Sequence, residues 1–227
     1  MHYCVIIPVY NSPYIKEVIK DTINEECTVI VVDDGSDEPL DVSEFHVELV
    51  VHEENRGKGE AILSGAKKAK ELGFDYFVTI DADKQHLSSE IPKLLQAYEP
   101  EDIVIGNRDF TVPNVPKASK FGRAFSNFWV MVETFRKFGD TQSGFRIYPI
   151  SILDLNIKNR RFDFEVEVLV LHTYRGGKCK DVLVDCYYPP QEERVSHFDK
   201  KRDNLRLGFL HSKLCMQRFL LLRGFLW

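Results

Sequence analysis

Short apolar runs alternate with amphipathic stretches along the first half of the chain. Val5-Ile6-Ile7-Pro8 and Thr28-Val29-Ile30-Val31-Val32 carry no polar alternation, which predicts strands buried on both faces. Residues 47–51, 76–80 and Ile103-Val104-Ile105 read as further strands. Ser12-Pro13 predicts a helix start, and that helix runs to about Lys20. Ile62, Ala66, Ala69 and Leu72 recur at helical spacing, and Gly73 closes that helix as a C′ glycine. A third helix is expected from about Ser88 to Tyr98, capped by Ser88 or Ser89. The alternation of strand and helix predicts a mainly parallel α/β sheet flanked by helices.

Beyond residue 110 the pattern changes. Pro113 and Pro116 mark a loop. Phe121, Phe125, Phe128, Val132 and Phe135 then repeat at spacings of four and three, an aromatic-faced helix whose stripe is expected to pack into the core. Residues 162–174 read as an amphipathic helix and 181–188 as a strand. Near Pro189-Pro190 the composition turns basic, which divides the chain into a domain over 1–190 and an extension over 191–227. Leu205, Phe209, Leu214, Phe219 and Leu226 are interspersed there with Arg206, Lys213, Arg218 and Arg223. This basic amphipathic segment fits a helix lying on a membrane surface, and equally a helix packed on the domain or on a second subunit in a homodimer.

The 227 residues are ample for one large core. A net charge of −5 argues against nucleic acid as a partner. The five cysteines form no CxxC pair, so reduced thiols in a cytoplasmic protein are expected. The first strand opens within three residues of Met1, leaving no room for a signal peptide, and no uncharged apolar stretch is long enough to span a bilayer.

The chemistry concentrates at strand ends. Asp81 and Asp83 follow the strand at 76–80. Residues two apart in extended chain point the same way. Paired carboxylates repel, and a hard divalent cation such as Mg²⁺ or Mn²⁺ relieves that cost. Such ions accompany phosphates, so a metal–diphosphate site is expected there. Pro8-Val9-Tyr10-Asn11 and Asp33-Asp34-Gly35-Ser36 end two other strands, on the sheet edge where α/β proteins bind ligands. Tyr10 suits stacking on a base, and a carboxylate at the second turn suits a base or ribose. Asp-Asp-Gly-Ser is equally a good turn sequence. Gly57-Lys58-Gly59 resembles a loose phosphate loop at a helix start, with Lys58 either near phosphates or solvated; no Ser or Thr follows it, so it is not a P-loop. In Asp140-Thr141-Gln142-Ser143-Gly144-Phe145-Arg146, Arg146 suits a phosphate or carboxylate and Asp140 suits proton acceptance. The bland alternative is a turn tied by an internal Asp–Arg pair.

Taken in order, Ile7-Pro8-Val9-Tyr10-Asn11, Val32-Asp33-Asp34-Gly35-Ser36, Asn55 with Gly57-Lys58-Gly59, Asp81-Ala82-Asp83 with Gln85-His86, Gly106-Asn107-Arg108 and Ser143-Gly144-Phe145-Arg146 resemble the family 2 glycosyltransferases of GT-A fold. Within that family the chain is most similar to the dolichyl- and polyprenyl-phosphate sugar transferases, over about residues 3–190. The resemblance implies a nucleotide-diphospho-sugar donor (a UDP- or GDP-sugar), Mn²⁺ or Mg²⁺, and inversion at the anomeric carbon. By it, Pro8, Tyr10, Asn11, Asp33, Asp34, Lys58, Asp81 and Ala82 would bind the nucleotide sugar, and Asp83 and Gln85 would ligate the metal. Arg123, Ser143 and Arg146 would meet a lipid-phosphate acceptor, which is already an anion and needs no base. A hydroxyl acceptor would need one: Asp140 first, then Glu165 or Glu167, which cannot both face the site from one helix. Lys84 departs from the family pattern. It either turns outward or reaches a donor phosphate, and His197 is a further candidate near the diphosphate.

Action at the cytoplasmic membrane face follows as an expectation. Two rivals stand beside it. A sugar-phosphate nucleotidyltransferase would carry a Gly-rich basic loop after the first strand, where Val9-Tyr10-Asn11-Ser12 stands instead. A non-catalytic sugar-nucleotide-binding scaffold would not need Asp81, Asp83, Gln85 and Asp140 intact.

Overall fold

The computed structural model of the chain describes residues 2–23, 27–111, 115–188 and 202–222. Seven strands form one sheet in the order β3-β2-β1-β4-β6-β5-β7. They are β1 (Tyr3–Val9), β2 (Thr28–Asp33), β3 (Glu48–Val51), β4 (Tyr76–Thr79), β5 (Ile103–Arg108), β6 (Arg146–Pro149) and β7 (Cys179–Val184). All neighbours pair in parallel except β6, which runs antiparallel between β4 and β5. The mainly parallel sheet expected from the sequence is therefore present.

The continuous apolar runs are buried on both faces, for the reason the pattern suggests. In β1, Cys4 and Ile6 join one core layer, while Val5, Ile7 and Val9 join the other. Helices α1 (Ile15–Ile23) and α3 (Ile91–Ala97) cover the second layer through Ile15, Val18, Ile19, Ile91 and Leu94. Helices α2 (Lys58–Glu71) and α5 (Phe164–Tyr174) cover the first. The expected serine cap of α3 is not made. A 3-10 turn, Ser88–Glu90, precedes that helix, Glu90 sits at its N-cap, and the Ser88 hydroxyl donates to the Asp21 carbonyl at 3.0 Å.

Two departures from the sequence reading shape the site. Strand β6 has no counterpart there, and the strand expected at 181–188 is shifted to β7. The second departure is α4 (Lys117–Thr134), whose aromatic stripe does not pack into the core: Phe121 is 73% exposed and Phe128 53%. Its buried side is mostly polar instead. Ser126 bonds the Thr141 hydroxyl at 2.8 Å, and the Asn127 amide donates to the Gly139 carbonyl at 2.7 Å while its oxygen accepts the Thr141 N–H at 2.9 Å. The loop at 139–141 has backbone groups that must find partners, and α4 turns its polar face inward to supply them.

Helix α6 (Arg202–Leu222) lies against α4 and α5. Leu207, Leu210 and Leu214 enter the same core layer as α2 and α5, and the Tyr174 hydroxyl donates to the Leu214 carbonyl at 3.1 Å. Between α4 and α6, His211 Nδ1 pairs with Glu133 at 2.8 Å, both buried. The boundary near Pro189-Pro190 and His197 fall outside the described residues. No described helix is long and apolar enough to cross a membrane. All five cysteines are free.

Candidate functional site

The chain leaves β1 toward β2 on one side and returns to β4 on the other, so the sheet order reverses between β1 and β4. Ligands bind in the crevice at the carboxyl ends of the strands at such a point. A cleft of about 470 Å³ opens there, lined by Pro8, Tyr10, Asp34, Lys58, Asp81 and Asp83 among others. Ala82 and Gln85 also line it. Ser12, Arg161 and Phe162 line it too, none of which the sequence offered as a site residue.

Asp81 and Asp83 stand just past the end of β4, held in place from several sides. The Ser12 hydroxyl donates to the Ala82 carbonyl. The Gln85 N–H donates to Asp83 Oδ1 at 3.0 Å. Lys84 takes the left-handed conformation (φ 61°), which turns its side chain out of the cleft onto Glu17. The question Lys84 posed is thus answered by backbone geometry. Burial, and then the Asp81 charge, push the Asp83 carboxyl up to about 6. Burial acts the same way on Asp81, but the Lys58 ammonium outweighs it and holds Asp81 below the usual carboxylate range. Lys58 bridges Asp81 at 2.6 Å and Glu165 at 2.8 Å. A Cβ at Gly144 would meet the Asp81 carboxylate and the Lys58 ammonium, so any larger residue there would push this pair aside. Beside it, burial keeps His86 neutral, with its pKa drawn down to about 4, and its ring stacks on Phe145.

The second turn divides its labour. Asp34 lines the cleft, but its carboxylate is already engaged by the Gly57 N–H at 2.7 Å, the Arg56 N–H at 3.0 Å and His52 at 2.7 Å. It fixes the entry to α2, where Gly57 (φ 101°) sets Lys58 at the first helical position. Asp33 and Asn11 do not line the cleft. Asp33 accepts the Ser36 N–H at 3.0 Å, and the Asn11 side chain exchanges two hydrogen bonds with Asp37 at 2.9 Å. These two residues shape the turn rather than the cleft wall.

The 140–146 loop corrects the sequence reading in three places. Arg146 is fully buried, and its guanidinium donates to the carbonyls of Ser143 (2.7 Å), Thr141 (2.8 Å) and Glu165 (2.8 Å). Three of its five donors tie the loop to the start of α5, and full burial keeps the group away from an acceptor in the cleft. Ser143 is buried too, its hydroxyl accepting the Phe145 N–H. The internal Asp–Arg pair is not made either: Asp140 takes Arg108, outside the loop, as its partner, in a two-pronged contact at 2.7 and 3.0 Å. Burial pushes Asp140 up, yet Arg108 wins and keeps it below the ordinary range. Arg123 reaches from α4 to donate to the Arg108 carbonyl at 3.1 Å, and its guanidinium lies 4.2 Å from the Phe110 ring centroid. Arg108 is a site residue that strand-end position alone would have flagged. Of the two glutamates, Glu165 faces the site, while Glu167 accepts the N–H groups of Lys158 and Asn159 at 2.8 and 2.6 Å on the far side of α5.

The model of the family described as Glycosyl transferase family 2 matches residues 4–155. A UDP-N-acetylglucosamine–dolichyl-phosphate N-acetylglucosaminyltransferase of Methanococcus voltae is 30% identical over 195 residues, covering 73% of this chain and 78% of that one. An undecaprenyl-phosphate mannosyltransferase of Micrococcus luteus is 29% identical over 198 residues, covering 78% and 80%. Among solved structures, glucosyl-3-phosphoglycerate synthase from Mycobacterium tuberculosis, crystallised with Mn²⁺, UDP-glucose and phosphoglyceric acid, superposes with a TM-score of 0.70 at 17% identity. That match covers 96% of this chain and 79% of the other.

Proposed function

This chain belongs to glycosyl transferase family 2 and is a glycosyltransferase of GT-A fold, and from that premise we propose that it moves a sugar from a UDP- or GDP-sugar to a polyprenyl phosphate with inversion. The observation that carries the acceptor class is the state of the three candidate bases. Asp140 is held by Arg108, Glu165 by Lys58 and Glu167 by backbone N–H groups. Asp140 and Glu167 thus have their carboxylates engaged, and Glu165 keeps one oxygen, Oε2, without a partner beside the Lys58 ammonium. A phosphate acceptor needs no base, because its oxygen is already anionic. The relatives named for dolichyl and undecaprenyl phosphate support the same class.

The residues present fit a divalent cation. Asp81 and Asp83 offer hard oxygen donors and Gln85 an amide oxygen, and the raised pKa of Asp83 marks a carboxylate short of positive charge. Two carboxylates, with donor phosphates completing the shell, suit Mg²⁺ or Mn²⁺. When bound, the cation would neutralise charge on the departing diphosphate. The protein's own residues do the rest. Tyr10 and Pro8 flank the nucleotide, and Lys58 at the α2 N-terminus faces the phosphates. Arg108 and Arg123 receive the acceptor phosphate in place of Arg146. An acceptor phosphate oxygen attacks the anomeric carbon as the bond to the diphosphate breaks, and the electron pair leaves with the nucleoside diphosphate.

The test is transfer of labelled sugar to polyprenyl phosphate and to the matching free polyprenol, with Mn²⁺ present. Product on the phosphate alone, lost in Asp83→Ala, is expected. Transfer to the alcohol at equal rate would overturn the acceptor assignment, and no transfer from any nucleotide sugar would overturn the whole reading.

A further inference from the structure

Helix α4 is turned inside out. Its buried face is mostly polar and its outward face carries Phe121, Phe125, Phe128 and Val132, with Phe135 at its C-terminal end. Helix α6 packs beside it and turns Leu205, Phe209, Met216 and Phe219 outward. The two stripes meet: the Phe125 ring lies 6.1 Å from that of His211, and the Arg218 guanidinium lies 4.9 Å from the Phe135 ring. At roughly 150–250 Å² per ring, the exposed parts of the six phenylalanines alone amount to several hundred Å². That exceeds the largest apolar patch of an ordinary monomer, roughly 300–600 Å² and often functional in itself, once the aliphatic side chains are added.

Charge says what covers this face. The chain carries a net charge of −5, yet α4 and α6 hold seven lysines and arginines against two carboxylates, and one of those, Glu133, is buried against His211. Lys120 and Arg206 are exposed at the borders of the apolar stripes. Lys213 pairs with Glu167, Arg218 lies over Phe135 and Arg123 turns to Arg108, so Lys120 and Arg206 are the described cations exposed beside this wide apolar face, which is complementary to an anionic lipid surface, into which rings sink while lysines and arginines meet head groups. The face also adjoins the catalytic edge: Arg123, on the same helix, points to Arg108 and Phe110.

We infer that the paired outer faces of α4 and α6 dock the protein on an anionic bilayer, setting Arg108 and Arg123, at the sheet edge beside the cleft, toward the lipid surface. This deepens the polyprenyl-phosphate reading but rests on separate observations. The experiment is flotation of the full chain with phosphatidylcholine vesicles, with and without about a third phosphatidylglycerol. Light scattering after size exclusion, a thermal melt and nucleotide binding are measured on the same samples. The wild-type chain is expected to float with the anionic vesicles at least tenfold more than with neutral ones, and several-fold less at high salt. Phe121→Gln/Phe128→Gln/Phe209→Gln and, separately, Lys120→Glu/Arg206→Glu should each reduce flotation at least tenfold with nucleotide binding and melting unchanged. Equal flotation of the triple variant would overturn the assignment of the face. So would a wild-type dimer that stays unfloated and becomes monomeric in the triple variant, since a second copy would then cover it. Flotation as expected with no sugar transfer would count against the acceptor reading and leave the docking face standing.

Discussion

The pair between Asp140 and Arg108 separates an anchoring role from a proton-accepting one. Asp140 is fully buried and the Arg108 side chain is 16% exposed, with two hydrogen bonds of 2.7 and 3.0 Å between them. Asp140→Ala leaves a guanidinium uncompensated in the interior, a change that costs about 3–5 kcal/mol. For a domain of this size 1 kcal/mol corresponds to roughly 2–4 °C, so the melting temperature should fall by roughly 6–20 °C. Asp140→Asn keeps the shape and loses the charge, and should lie between. Arg108→Met/Asp140→Leu removes both charges and should recover much of the loss, as buried pairs replaced by apolar residues often do. The pH dependence has a definite sign. Arg108 depresses the folded-state pKa of Asp140, so the pair's stabilisation is present above the unfolded value near 3.9 and fades as pH falls below it. The melts of wild type and Asp140→Asn should therefore converge below about pH 4. The assay is calorimetry across pH, with sugar transfer measured well below both melting points. An Asp140→Asn protein that melts with the wild type yet loses transfer by about 10²–10⁴ would show that Asp140 is a base, and would refute both the anchoring argument and the phosphate acceptor drawn from it.

Three further outcomes follow from the cleft. Burial and Asp81 raise Asp83 to about 6, so a cation must displace a proton below that pH; the Mn²⁺ concentration that half-saturates the nucleotide-dependent rise in melting temperature should be flat above pH 6 and climb about tenfold per unit below it. Gly144→Ala brings a methyl group against Asp81 and Lys58, and should weaken nucleotide-sugar binding by an order of magnitude in titration calorimetry while the sheet's circular dichroism is retained. Lys84→Ala removes a side chain that pairs with Glu17 outside the cleft, and its KM for the donor should stay within about twofold of wild type, because exposed ion pairs contribute little.

Much of the sheet was legible because parallel strands buried on both faces leave unbroken apolar runs, as in β1 and β2. Strand β6 was not, because its four residues open on Arg146 and close on Pro149; a fully buried arginine is written like a surface one, and its carbonyl partners come from the loop behind it and from α5. The strand-end turns were found correctly, yet the division within them was hidden. Whether Asp33 or Asp34 lines the cleft depends on which of them the α2 entry draws inward. The aromatic period of α4 was read correctly and its direction was not. Periodicity locates a face without saying what that face meets, and the needs of the 139–141 loop decided it here.

That orientation of α4 has a consequence for sequence drift. The residues that hold the 139–141 loop, Ser126 and Asn127, and those that face outward, Phe121, Phe125 and Phe128, lie on opposite sides of one helix and share no hydrogen bond. The two sets can change independently. A lineage that abandoned its outer surroundings would need to rewrite only the exposed side, and a handful of polar replacements there should yield a readily handled protein with its cleft intact.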